Sequence, residues 1–287
     1  VRRVLYVCII AQIPVLCFSQ AVLKSSVVSN KAVLVPSSNA LSSASQATVP
    51  SAPKSKQSNT GTSTSESYDV VVVNKLAPAG VDINYLPLFG EYLKTENQQL
   101  EDQMFISDCD KNFKNRIEAS DFFAKMGWEY LAEGNKNLAI HRFNLAWLLD
   151  NENPDAFWGL GVVEYQSGSA QKAAKWMKRG IEINDQPNVS LMVDLATVYI
   201  SCSVEKSSPE DLIKAYELLY KAVAIQPEYT NAYMQLTVAN IVENKLDEAW
   251  ENFHKGYNHA PEEVSLDILT ELLSRKADPK GIFRKPE

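Results

Sequence analysis

The chain has 287 residues, room for one or two domains, and carries 35 acidic against 28 basic side chains for a formal charge of −7. An acidic chain lacks the basic face that nucleic-acid phosphates or anionic lipid headgroups require, which excludes nucleic-acid binding and electrostatic membrane binding as leading functions.

Residues 1–21 read as a secretory signal peptide: Arg2 and Arg3, an apolar run from Val4 to Phe18, then the small residues Ser19 and Ala21. The run contains Gln12 and Pro14 and falls short of the roughly twenty apolar residues of a membrane-spanning helix. Cleavage after Ser19 or Ala21 is expected, giving an exported chain, periplasmic or secreted, with no membrane insertion of its own. Lipidation at Cys17 is the weaker alternative, because Leu16 is too large beside the cut. Loss of Arg2 and Arg3 takes the charge from −7 to −9. Beyond the leader, Cys109 and Cys202 remain, and two separate thiols are expected because nothing in their spacing demands a bridge.

Residues 22–67 are mostly Ser, Ala, Thr, Val and Pro, without aromatic residues, and read as a disordered linker that cannot bury enough apolar area to order itself. From 68 to 118 the composition changes. Val70–Val73 is a short β-prone run, and Leu86-Pro87-Leu88-Phe89-Gly90 is an apolar turn. Thr95-Glu96-Asn97-Gln98 has the form of a capping box opening a helix. Leu100 and Met104 lie four residues apart on that helix, with Phe105 alongside, so the segment is expected to lie on the domain that follows.

That domain, 119–278, repeats one pattern. Phe123-x-x-Met126-Gly127-x-x-Tyr130 with Ala139-x-x-x-Phe143 returns 34 residues later as Phe157-x-x-Leu160-Gly161, then Tyr165, with Ala173-x-x-x-Met177. Met192-x-x-Leu195-Ala196-x-x-Tyr199 with Ala215-x-x-x-Leu219 is the third copy, and Tyr233-x-x-Leu236-Thr237 with Ala249-x-x-x-Phe253 the fourth. The copies span about 120–153, 154–188, 189–229 and 230–261, followed by a capping helix at 262–276 that carries Ile268 and Leu272. Between its two small-residue marks the third copy holds seven extra residues, expected as a longer loop around Cys202–Pro209, where added length costs little entropy.

These residues resemble the tetratricopeptide repeat, a helix-turn-helix unit of 34 residues, over about half of the chain. The resemblance implies an all-α solenoid of about four repeats and a binding rather than a catalytic role. Lys125–Leu131 and Phe157–Gly161, preceded by Leu86–Gly90, look like a cassette of exported bacterial repeat proteins, which implies a cell-envelope or secreted setting.

On each first helix a second stripe at i, i+4, i+7 shares one face: Ala124, Trp128, Leu131; Trp158, Val162, Tyr165; Val193, Thr197, Ile200; Met234, Val238, Ile241. All but Thr197 are apolar. Such a wall does not suit the Lys/Asn grip that some members of the family place on a partner's C-terminal carboxylate. Two readings stand: it packs on neighbouring helices or on the 68–105 segment, or it is an apolar groove for a partner helix or extended peptide. The expectation is that the segment covers part of the wall, leaving the rest for a protein or peptide partner at Trp128, Leu131, Trp158, Val162, Tyr165, Val193, Thr197, Met234 and Val238. The function read from this is a non-catalytic protein–protein interaction module, with a self-assembling structural repeat or an envelope assembly lipoprotein as the alternative; a homo-oligomer is compatible with either. Catalytic, cofactor and metal residues are not expected. There is no phosphate loop, nucleophile elbow or zinc-protease helix. Asp108–Asn112 starts like a calcium loop, but Phe113 stands where Gly is needed. His141, His254 and His259 have no zinc spacing and are expected on solvated helix faces.

Overall fold

A computed structural model of the chain describes residues 73–284; the expected signal peptide and the Ser/Ala-rich linker lie outside the described residues. Four helix pairs follow one another, as the pattern requires: α2 (Arg116–Ala132) with α3 (Lys136–Leu149), α4 (Pro154–Gln166) with α5 (Ala170–Ile183), α6 (Val189–Lys206) with α7 (Pro209–Ile225), and α8 (Thr230–Val242) with α9 (Leu246–His259). Asparagine starts four of these helices: the side chains of Asn115, Asn135, Asn153 and Asn188 accept from first-turn N–H groups. Three of the pairs turn through three residues whose central one is left-handed, Gly134, Gly168 and Asn244. Glycine takes that conformation without steric cost and asparagine tolerates it.

Close approach of backbones explains the small residues. The Phe143 ring is fully buried between Gly127 and Gly159, where an added Cβ would come within 2.6 Å and 2.1 Å of it respectively. Gly161 meets Met177 in the same way one repeat later, at 2.6 Å. Ala139, Ala173, Ala215 and Ala249 are all fully buried.

The third pair departs from the expectation. Its seven extra residues do not form a loop; they extend both helices. α6 has 18 residues where α4 has 13, α7 has 17 where α5 has 14, and the link shrinks to Ser207 and Ser208. Helix continues because Ser201–Lys206 offers no Gly or Pro to stop it. Pro209 then opens α7, and the left-handed Ser207 makes the turn.

The N-terminal segment packs on the repeats, but not on the wall foreseen for it. β1 (Val73–Leu76) pairs in parallel with β2 (Tyr92–Leu93), and the chain between them lies mainly on the second helix α3, with further contact to the first helix α4. Asn144 of α3, fully buried, receives the Leu88 N–H (2.9 Å) and donates to the carbonyls of Asn84 (3.0 Å) and Leu86 (2.8 Å). Tyr85 meets His141, Phe89 meets Trp147, and Glu91 pairs with Lys175 of α5 at 2.7 Å. These contacts hold Leu88, Phe89, Gly90 and Glu91 in successive left-handed conformations, each costly for a residue with a Cβ. The buried Asn144 amide thus satisfies part of the segment's non-repetitive backbone.

α1 (Glu96–Asn112) begins with the capping box: Thr95 accepts from Gln98 N–H and Gln98 returns the bond to Thr95 N–H. Its inward side is Phe105, Ile106 and Cys109 against Phe123, Ala119 and Leu149, whereas Leu100 and Met104 face outward. Cys109 and Cys202 are separate buried thiols. At the other end, α10 (Leu266–Arg275) lays Ile268 and Leu272 on the last repeat. Residues 276–283 add a second cover. Asp278 accepts from the N–H groups of Lys280, Ile282 and Phe283, and the Phe283 ring meets Trp250 and Tyr257. His254, expected in solvent, is buried there instead, 3.0 Å from Asp278 and stacked on Trp250; burial holds its imidazole pKa below the ordinary value. The apolar cover supplied by Phe283 is what removes it from water. His141 is half-buried and His259 is exposed against Tyr233. Among the described residues no helix is long and apolar enough to cross a membrane.

Candidate functional site

Helical spacing places the predicted stripe on one side of α2, α4, α6 and α8, and the structure packs Trp128, Leu131, Trp158, Val162 and Tyr165 in one cluster and Val193, Ile200, Met234, Val238 and Ile241 in a second. The Trp128 and Trp158 rings meet edge to face at 4.9 Å. The Trp158 indole N–H donates to Asp194 Oδ2 at 2.8 Å, and Tyr165 Oη lies 2.7 Å from Ser201 Oγ. Thr197 donates back to the Val193 carbonyl, so the one polar member of the stripe is satisfied by its own helix.

These contacts change the status of the nine residues. Leu131, Trp158, Val162, Tyr165, Val193, Thr197, Met234 and Val238 are more than nine-tenths buried, and Trp128 is partly buried. An open apolar groove is therefore corrected to a floor packed between adjacent first helices. Between α2, α4 and α6 the reason is side-chain size: two indoles and a phenol bridge the space between neighbouring helices and bury one another.

What stays accessible is the position three residues before each stripe, on the same helix face. It is Asp121 on α2, Asp155 on α4, Ser190 on α6 and Asn231 on α8. Asp121 is exposed and accepts from Asn153 Nδ2 at 3.1 Å; the other three are half-buried. The Ser190 and Tyr229 hydroxyls lie 3.1 Å apart. Continuing the i, i+3, i+4 count one step back would have found this rim; the apolar count stopped at the first polar residue.

The electrostatics of the wall are one-sided. Burial raises the Asp121 carboxyl above its ordinary pKa, and Asp150 adds to the shift. Burial likewise raises Asp155, with Asp121 contributing. Asp194, wholly enclosed with a single donor, is pushed up to about 7 by desolvation, against the pull of the Trp158 N–H. Among the described residues no group of His, Cys, Asp and Glu is arranged to hold a metal ion. A shallow open depression between the α5–α6 link and the end of α7 is lined by Asn184, Gln186, Asn188 and Gln226 and brings no titratable group.

No protein-family model and no curated protein matches the chain. Among solved structures, Pseudomonas aeruginosa PilF aligns with 56% of this chain and 68% of its own at 21% identity, with a TM-score of 0.48. YrrB, described as a TPR protein with an unusual peptide-binding site, aligns with 62% of this chain and 84% of its own at 19% identity and a TM-score of 0.46. MamA from Desulfovibrio magneticus RS-1 aligns with 56% of this chain and 86% of its own at 15% identity, also at 0.46. Values below 0.5 decide nothing by themselves. The recurring pattern, 34 residues from Gly127 to Gly161, the four successive helix pairs and the small residues where those pairs cross give the chain the fold of a tetratricopeptide repeat solenoid.

Proposed function

We propose that the chain is a non-catalytic binding module of the envelope or secreted space that holds a peptide or helix of a partner protein along its first-helix wall. The observation that carries this reading is the wall's construction. A packed floor of Trp158, Val162, Tyr165, Val193, Thr197, Met234 and Val238 lies beneath an accessible polar rim at Asp121, Asp155, Ser190 and Asn231. A rigid apolar floor with a few polar groups at its edge is the usual form of a peptide-binding surface. Trp128, partly buried at the N-terminal end, is the floor residue a partner reaches first. The N-terminal segment is held chiefly by the second helix α3, through Asn144 and Trp147, rather than by the rim positions. Export is proposed from Arg2, Arg3 and the apolar run alone.

Truncating Trp158 or Tyr165 would remove core packing along with any binding, so the rim is the place to test. Ser190→Lys combined with Asn231→Lys is expected to abolish capture of partners by the full chain while the thermal melt stays near wild type. Tyr220→Lys, on the exposed side of α7, is expected to leave capture intact. The reverse pattern would move the docking surface to the second helices.

A further inference from the structure

We propose that α9 carries a second peptide site, for a phenylalanine presented by a proline- and glycine-containing turn, and that residues 278–283 fill it as an internal ligand, displaced by a partner's turn of the same kind. The site lies on a second helix and does not depend on the first-helix wall.

The repeat register carries the argument. Ala139 of α3 and Ala249 of α9 are equivalent, fully buried residues. Five residues on from them stand Asn144 and His254, and eight residues on stand Trp147 and Tyr257. Both helices hold a segment from outside the repeats at these positions. On α3, Asn144 bonds the backbone of Asn84, Leu86 and Leu88, and Phe89 of Pro87-Leu88-Phe89-Gly90 meets Trp147 at 6.3 Å. On α9, His254 lies 3.0 Å from Asp278, and Phe283 of Pro279-Lys280-Gly281-Ile282-Phe283 meets Tyr257 at 4.9 Å. Two turns of like composition, from opposite sides of the repeats in sequence, thus dock on equivalent residues.

The turn on α9 is shaped as a ligand. Asp278 accepts from the N–H groups of Lys280, Ile282 and Phe283, and Gly281, left-handed at φ 66°, donates to the Asp278 carbonyl at 3.1 Å. These bonds close within the turn and set its form without help from α9. Lys280, Gly281 and Ile282 are exposed, while the Phe283 ring stacks on Trp250 and His254 and meets Phe253 and Tyr257 edge to face. Those four residues, at i, i+3, i+4 and i+7, form one face of α9.

The fit is looser than on α3, which makes the ligand exchangeable. Phe89 is 3% exposed, whereas Phe283 is only partly buried. His254 Nε2 is enclosed yet makes no hydrogen bond, although Asp278 is close. A buried ring nitrogen in that state costs free energy that a better-placed group on another turn recovers. The internal turn has the advantage of its tether, an effective concentration on the order of millimolar for a short link.

The test is calorimetric titration of the full chain with acetyl-Asp-Pro-Lys-Gly-Ile-Phe-amide. Phe283→Ala opens the site by truncation. Gly281→Pro opens it by breaking the turn, since proline holds φ near about −65°, and leaves Phe283 in the chain. Both variants are expected to bind the peptide at least about tenfold more tightly than the wild-type chain, whose own turn competes. Replacing the peptide's Phe with Ala, or adding Tyr257→Ala to the Phe283→Ala chain, should weaken binding about tenfold without lowering the melt further. Equal binding by wild type and both variants, binding by neither variant, or indifference to Tyr257→Ala overturns the proposal. A wild-type chain that runs as a dimer by light scattering, with the Phe283→Ala chain a monomer, overturns it too, because the occupant is then the turn of a second copy.

Discussion

Gly159→Ala is expected to cost about 3 kcal/mol of unfolding free energy, at the upper end of what one added methyl does to a filled core. The new Cβ would sit 2.1 Å from the Phe143 ring. That ring is fully buried, faces Gly127 on its other side and meets Trp128 edge to face at 5.3 Å, so it has nowhere to move. Gly161→Ala should cost less, because its nearest neighbour is the flexible Met177 side chain. Phe143→Leu in the Gly159→Ala background should recover part of the loss, a coupling that urea denaturation of the four chains would measure as a double-mutant cycle. An additive cycle would mean that Phe143 does not lie between the two glycines.

The repeat was legible in the sequence because crossing geometry forces small residues to recur at fixed spacing, and the helix pairs stand where Gly127, Gly161, Ala196 and Thr237 put them. Gly159 was not legible. It belongs to no mark of the pattern, and its role depends on the size of a side chain in the preceding repeat. The extra residues of the third copy were counted correctly but assigned to a loop, since spacing alone does not separate a longer link from longer helices. The stripe was read from helical spacing, while its burial depends on packing between helices, of which the Trp128–Trp158 contact is one case, and periodicity does not report that. The N-terminal segment is clamped on α3 by one buried amide, Asn144, and a single polar residue inside a helical pattern gives no sign of being a clamp. His254 was placed in solvent because its cover, Phe283, lies in a tail with no periodicity at all.

Asp194→Asn is expected to stabilise the protein at neutral and alkaline pH. The Asp194 carboxyl has a folded-state pKa of about 7 against an ordinary value of 3.8. A raised carboxyl pKa means the folded state prefers the protonated form. Its contribution is fully present below the unfolded value and is lost as pH rises through about 7. At about 1.4 kcal/mol per unit, the loss between acid and pH 8 is on the order of 2–4 kcal/mol. Asparagine keeps an oxygen for the Trp158 N–H and does not ionise, so the variant's stability should lack this component. Other carboxylates titrate over the same range, and the difference between variant and wild type isolates this one. Urea midpoints are expected to be closest below the ordinary value of 3.8, with the variant drawing ahead as pH rises and the gap levelling off above about 7. A difference that does not grow with pH would place Asp194 in contact with water.

The apolar face of the first helices is a packed floor, and the polar position three residues before it is the docking surface proposed above. Single cysteines at Asp155, Asn231, Val162 and Thr197, labelled with maleimide in the folded full chain and read by peptide mass spectrometry, test it position by position apart from the native cysteines. Labelling at 155 and 231 within minutes, with 162 and 197 protected until the chain unfolds, is the expected result. Rapid labelling at 162 and 197 under native conditions would contradict the account and restore an open apolar groove.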